Sequence, residues 1–295
     1  GGNDPFWEKS EVALLQAIFS YIWYEIVPEE QNMKTVMQLL RYADVKEEDE
    51  NYASDLDIIF NELSKEKSNH IANRQYTIFK QGAGKTAKSI LISVGVRLAA
   101  FNIDAVAELT AKDELELDKM GDEKTALFVV IPDSDTTFNF LAAMMYSQLF
   151  DSLYYTADFI NKGRLKNHVR CMLDEFANIG YIPNFDNRIS TMRSREISCT
   201  IILQNLAQLE TMYKDSWKTI IGNCDSFLFL GSKEQSTLEY VSKQLGKETI
   251  DTRNINYGKG KQGSISYNYG IHGRELMTSD EVGKMPDNDF ILMIR

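Results

Sequence analysis

Apolar positions recur every three or four residues through the first 120 residues, and the rhythm then changes. The segment DPFWEKSEVALLQAIFSYIWYEIV carries a helical stripe, with Asp4 placed as cap and Pro5 at the first helical position. The segment EEQNMKTVMQLLRYA predicts a second helix, and SDLDIIFNELSK a third with Ser54 as its cap. In KTAKSILISVGVRLAAF, the residues Ile90, Leu91, Val94, Leu98 and Phe101 share one helical face, and IDAVAELT closes the series. Residues 1–122 therefore read as an all-helical module.

From residue 123 short apolar runs alternate with amphipathic ones. The runs Thr125–Pro132, His168–Phe176, Cys199–Asn205 and Cys224–Gly231 predict four strands, and DFILMIR predicts a closing one. Between them TFNFLAAMMYSQLFDSLYYTADF, NRISTMRSREI, LAQLETMYK and SKEQSTLEYVSKQLG read as helices, the last stopped by Gly246. Alternation of this kind implies crossover units and a mostly parallel sheet covered on both faces. The segment Asp251–Glu275 interrupts it. Rich in Gly, Asn and Tyr and slightly basic, it predicts a long hairpin or loop. There Tyr257, Tyr267 and Tyr269 offer stacking faces, and Arg253, Lys259 and Lys261 offer phosphate contacts.

Charge sharpens the division. The chain of 295 residues carries a net −11, of which residues 1–122 hold −9 (22 Asp/Glu against 13 Lys/Arg). An acidic surface is a poor partner for nucleic-acid phosphates and a good one for a basic protein. Cys171, Cys199 and Cys224 each sit in an apolar run and read as buried thiols in a reducing compartment. The most apolar stretch, Val12–Tyr24, is too short to span a bilayer.

Two places carry candidate chemistry. The sequence GAGKT, ending at Gly84, Lys85 and Thr86, matches the end of the phosphate-loop pattern G-x-x-x-x-G-K-[ST]. However, Phe79 stands where the first glycine belongs, and KSNHIANRQYTIF before it is too polar for a buried parallel strand. The second place is VRCMLDEF, where an apolar run ends in Asp174 and Glu175. This is the form of a Walker B strand. The first carboxylate can hold Mg²⁺ through water, and the second can orient or deprotonate the water that attacks a γ-phosphate. Gln204 ends the next strand and reaches the same crevice if the two strands are neighbours. Arg188, Arg193 and Arg195 lie between them as candidate arginine fingers, and the sequence leaves the choice open.

The segments CMLDEFANIGYIPNF, ISTMRSREISCTIILQNLAQLETMY, WKTIIGNCDSFLFLG and LMTSDEVGKMPDNDFILMI together resemble the TraG/TraD family, the coupling-protein ATPases of bacterial conjugation and type IV secretion. DPFWEKSEVALLQA and FKQGAGKTAKSILISVGVRLAAF are similar to that family's all-alpha domain. The resemblance implies an α/β fold: a RecA-like P-loop NTPase core over 123–295, incomplete here, plus an all-alpha domain over 1–122 that contacts substrate or relaxosome proteins. It implies that Asp174 is the Walker B aspartate binding Mg, Glu175 the catalytic glutamate, Gln204 the sensor glutamine and Arg193 the inter-subunit arginine.

The resemblance further implies an ATP- and Mg-dependent hexamer at the cytoplasmic face of the bacterial membrane. Such a ring drives single-stranded DNA with its attached relaxase into the type IV secretion channel. In the family the phosphate loop and the membrane anchor precede the all-alpha domain. Lys85 and Thr86 are then not phosphate ligands, and the chain is expected to be a carboxyl-terminal fragment that binds ATP weakly and does not turn it over. Two alternatives stay open: a fragment of an FtsK/SpoIIIE-like double-stranded DNA translocase, and a non-catalytic adaptor acting through the acidic helical module.

Overall fold

The computed structural model describes residues 5–46, 52–82, 84–132, 135–257 and 265–295. They form two compact units that divide between Leu115 and Glu116, seven residues before the boundary expected at 122. The shift has a packing cause: Leu117 and Met120 join the apolar core of the second unit.

The first unit is helical. It comprises α1 (Pro5–Glu25), α2 (Met33–Tyr42), α3 (Asp55–Glu66), α4 (Ile71–Lys80), α5 (Gly84–Arg97) and α6 (Asp104–Leu109). Leu14, Ala17, Ile18 and Ile22 turn one face of α1 inward, chiefly against α4, and Phe60, Phe79 and Ile90 complete the core. Ser54 caps α3 in a reciprocal box with Asp57, which satisfies two backbone donors at the helix start. Asn32 caps α2, a signal the sequence reading passed over; Asp4 lies outside the described residues. GAGKT is entered from helix α4, not from a strand, and Lys85 is exposed in the first turn of α5.

A polar network is sealed into this core. Asp57 is buried and accepts from Tyr76 Oη at 2.9 Å, from Lys80 Nζ at 3.1 Å and from Ser54 N at 2.9 Å. The Tyr76 ring stacks on Phe60 with centroids 4.1 Å apart. Burial alone would push the Asp57 carboxyl up; the hydrogen bonds from Lys80, Ser54 and Tyr76 outweigh it and hold the group below the usual aspartate range.

The second unit contains α7 (Asn139–Tyr155), β1 (Val169–Leu173), α8 (Phe176–Ile179), α9 (Phe185–Ile189), β2 (Ile197–Ile201), α10 (Leu206–Tyr213), α11 (Trp217–Gly222), β3 (Ser226–Phe229), α12 (Gln235–Leu245), β4 (Lys247–Tyr257), β5 (Ile265–Glu275), α13 (Ser279–Val282) and β6 (Ile291–Ile294). The strands β1 and β2 are parallel, with Val169 opposite Ile197 and Leu173 opposite Ile201, joined by the expected helical crossover. The other described ladders are antiparallel: β3 with β6, and β4 with β5 as a hairpin of two eleven-residue strands. Cys171 and Leu173 face a core built on Phe150, Leu153, Phe176, Phe185 and Ile197.

Several expectations need correction. Thr125–Pro132 is not a buried strand. It has no ladder partner among the described residues; Leu127 and Ile131 touch the core while Phe128 and Val130 are 88% and 93% exposed. An apolar run becomes a strand only where a neighbour takes up its backbone hydrogen bonds. The sheet is also not covered on both faces, since Arg170 and Met172 on the outer side of β1 are open to solvent. The segment expected as one helix over NRISTMRSREI divides into α9 and a single 3-10 turn at Arg193–Arg195, because β2 begins at Ile197, two residues earlier than expected. The three cysteines are free thiols, with Cys171 buried and the other two partly so.

The hairpin is clamped at its root. Gly246, in the left-handed region at φ 80°, ends α12 and leads directly into β4. Buried Ser242 donates to Met277 O at 2.6 Å and to Glu275 Oε2 at 3.1 Å, and Leu276 N donates to Gly246 O at 3.0 Å.

Asp57→Ala is expected to lower the stability of the first unit by about 2–3 kcal/mol, measured by chemical denaturation, because it orphans Tyr76 and Lys80. Since the folded-state pKa is depressed, the Asp57 contribution is full above the usual aspartate range and fades as pH falls below it; the variant's stability curve lacks that part of the acid slope.

Candidate nucleotide site

The parallel register decides where the acidic pair sits. Beyond the last ladder pair, Ile202 N donates to Leu173 O at 3.0 Å and Phe176 N donates to Ile202 O at 3.1 Å. These bonds carry the pairing past both strands and set Asp174 and Glu175 beside the turn that holds Gln204. Phe176 is fully buried, stacked on Tyr213 and in tilted ring contact with Phe185, so the backbone there cannot slide. Glu175 stands in the left-handed region, at φ 45° and ψ 51°. Such a conformation is uncommon for a residue with a Cβ and persists where the surroundings dictate it.

The result is a direct side-chain contact. Gln204 Nε2 lies 3.3 Å from Glu175 Oε1 and 3.3 Å from Oε2, straddling the carboxylate. Asp174 is exposed beside it, and its Oδ1 accepts from Glu175 N at 3.1 Å. Three of the four expected site residues thus meet at the carboxyl ends of β1 and β2, where ligands of open α/β sheets bind. Exposed Asp174 beside half-buried Glu175 suits Mg²⁺, which takes one or two protein carboxylates and completes its shell with water and phosphate oxygens. They do not form an all-protein cage: no group of three or more His, Cys, Asp or Glu among the described residues has the spacing of one.

Arg193 is elsewhere. It precedes β2 and so lies at the amino end of the strand whose other end carries Gln204. The three arginines divide sharply. Arg188 Nη2 pairs with Asp151 at 2.6 Å and its Nη1 donates to Ser147 O. Arg195 binds Asp158 through two bonds of 2.9 Å and lies over the Tyr154 ring, and Asp158 raises its pKa further. Arg193 has a 91% exposed side chain and only a 3.9 Å approach to Asp225. Two arginines fasten the crossover, and the third projects outward.

Several supporting residues escaped the sequence reading. Gln208 Oε1 accepts from Gln204 N at 3.1 Å, and Asn205 caps α10 by accepting from Gln208 N at 3.1 Å. Thr237 Oγ1 accepts from Leu206 N at 3.0 Å and donates to Glu234 Oε2 at 2.6 Å. The spacing N-x-x-Q just after an apolar run was the available signal for the cap; the Thr237 link joins residues 31 apart and has no local signature.

Comparison with known proteins gives this geometry a family. The model of the type IV secretory system conjugative DNA transfer family matches residues 1–295. The chain belongs to that family. It is 23% identical over 245 residues to protein VirD4 of Agrobacterium fabrum (strain C58 / ATCC 33970), covering 80% of this chain and 36% of that protein. It is 26% identical over 212 residues to the conjugal transfer protein TraG of Escherichia coli, covering 67% and 33%. The chain spans about a third of the length of the VirD4 proteins it matches. Among solved structures, the unbound conjugative coupling protein TrwB superposes with TM-score 0.66 at 14% identity, over 100% of this chain and 62% of that one. TrwB in complex with the non-hydrolysable analogue ADPNP gives 0.66 at 13%, over 98% and 60%. The fold is therefore the RecA-like one of TrwB, and the whole-chain family match displaces the FtsK/SpoIIIE-type alternative. Among the described residues no helix is long and apolar enough to cross a membrane.

Arg195→Ala is expected to destabilise the second unit by about 1–2 kcal/mol, the pair being partly solvated, whereas Arg193→Ala changes stability by less than about 0.5 kcal/mol; thermal melts of the two variants check this. Hydrogen bonds from Thr237 and Ser236 hold the Glu234 carboxyl at about 2. Its contribution is complete above the usual glutamate range and is lost as pH falls toward 2, so Glu234→Gln should flatten that part of the acid denaturation profile.

Proposed function

We propose that this chain forms part of an ATP-driven conjugative coupling protein, which recruits relaxase-bound single-stranded DNA and delivers it to a type IV secretion channel. The observation that supports it is the Glu175–Gln204 contact beside Asp174, at the carboxyl edge of a parallel strand pair. TrwB has been solved with ADPNP and with ADP and Mg²⁺, which supports ATP and Mg as this site's ligands. Bound Mg²⁺ neutralises charge on the transferring phosphoryl oxygens.

The chain's own residues then have distinct tasks. Asp174 would hold Mg²⁺ through water. Glu175 accepts a proton from, or aligns, the attacking water, and its left-handed backbone turns the carboxylate toward Gln204. Gln204 holds that carboxylate in one orientation until a γ-phosphate competes for its amide. Arg193, at the far end of β2, has no route to Glu175 within one chain; it serves a neighbouring copy's site in a ring, as an arginine finger does. The helical unit, residues 1–115 with 19 Asp/Glu against 12 Lys/Arg and a net of −7, offers an acidic partner surface for the basic proteins of a relaxosome.

In the protein that carries this chain, Glu175→Gln is expected to lower conjugative transfer at least about 100-fold, the scale of a lost general base. Arg193→Ala should do the same without loss of stability. Co-expressing the two variants should restore part of the transfer, because mixed assemblies contain intact composite sites. Undiminished transfer by Glu175→Gln would overturn the proposal.

A further inference from the structure

The β4–β5 hairpin is the longest ladder in the molecule's described residues and has no part in the nucleotide site. Its eleven pairs extend about 35 Å at about 3.3 Å per residue. Two-stranded ribbons of this kind are marginal alone in water and gain stability when a face is covered. The register makes the two faces unlike. Asp251, Arg253 and Ile255 lie directly opposite Ile271, Tyr269 and Tyr267 and share one face with them. The other face carries Thr252 and Asn254 opposite Gly270 and Asn268. The first face therefore carries two tyrosines and two isoleucines around Asp251 and Arg253, and it is open: Tyr269 is 75% and Ile271 73% exposed.

A cation is fixed on this face. The Arg253 guanidinium lies 4.2 Å from the Tyr267 ring centre and 5.8 Å from that of Tyr269. Among the described residues no carboxylate pairs with it. Arg274, nearer the root, behaves in the opposite way, since it pairs with both Glu248 and Glu281. The hairpin thus neutralises the arginine at its base and leaves the outer one with unspent charge. The stretch 251–275 carries four Lys/Arg against two Asp/Glu in a chain of net −11, so its sign is opposite to that of its surroundings. Tyr257's side chain, Lys259 and Lys261, which the sequence placed with this group, lie outside the described residues.

We infer that the Arg253–Tyr267–Tyr269 face of the hairpin is a binding platform for single-stranded nucleic acid. Tyr267 and Tyr269 stand two residues apart on one strand, about 6.8 Å. Each ring offers a sequence-tolerant stacking surface, and the guanidinium offers donors to a phosphate while keeping its stack. Because Arg253 is already held over the rings, little side-chain freedom remains to be lost on binding. Asp251 lies two residues from Arg253 on the same face and works against a polyanion there. The inference rests on the DNA-transfer reading for its choice of ligand, but on none of the nucleotide-site residues.

The test is fluorescence anisotropy of the chain with a labelled oligo(dT), at two salt concentrations. Tyr267→Leu and Tyr269→Leu keep apolar bulk on the strand and remove the ring; each should weaken binding about 10-fold. Tyr267→Phe and Tyr269→Phe should bind as the parent does. Arg253→Gln should reduce the salt slope by about one phosphate contact, and Asp251→Asn should tighten binding. A duplex of the same length should bind more weakly, its bases being stacked internally.

Equal affinity in the Leu variants, or no binding by the parent chain, overturns the platform. So does concentration-dependent dimerisation that only the Leu variants lose, which would give this face to a second copy. Failure here leaves the effect of Glu175→Gln on transfer untouched, so the two readings fall separately.

Discussion

The arrangement of the second unit depends on one register. Leu173 pairs with Ile201, and two further backbone bonds, from Ile202 to Leu173 and from Phe176 to Ile202, extend that alignment into the turns. A slip of one residue would turn Leu173 outward and send the acidic pair to the wrong side of the strand. Buried Phe176 prevents it, because its ring is interlocked with Phe185 and Tyr213 and has nowhere else to go. The functional group and its anchor are thus consecutive residues: Glu175 projects because Phe176 cannot.

The two ends of β2 do different things. At the carboxyl end, Gln204 is held by its own chain, through Gln208 on the backbone and through the Asn205 cap. At the amino end, a dense set of polar contacts fastens the crossover: the ion pairs Arg164 to Glu196 and Arg195 to Asp158, and a hydrogen bond between His168 Nδ1 and Glu196 Oε2. Arg193 is passed over by this set. Fixed arginines on either side make its exposure a property of a rigid turn and not of a loose one.

Much of this was legible in the sequence, for identifiable reasons. Helix periodicity and the Ser54-to-Asp57 spacing are local, and α1, α2, α3, α5 and α6 follow them, whereas α4 over Ile71–Lys80 was not among the expected helices. The Asp174–Glu175 pair at a strand end and the long hairpin were readable for the same reason. What depended on distant partners was not. Nothing near Arg193 or Arg195 in sequence reveals that Asp158 takes one of them. Nothing in the composition of Thr125–Pro132 shows that, among the described residues, no strand takes up its backbone bonds. Nor does a glutamate's identity announce the left-handed backbone at Glu175, which tertiary packing imposes.

The single-residue joint at Gly246 has a mechanical consequence. Both legs of the hairpin are tied to the end of α12, through Gly246 on one side and Ser242 on the other. The opposite end of α12 is tied through Thr237 to the residue that opens α10, two places after Gln204. Helix and ribbon therefore form a lever with a short arm near Gln204 and a long arm of about 35 Å. A tilt of about ten degrees at the short arm sweeps the far end of the described ladder through about 6 Å, nearly the stride of two stacked bases.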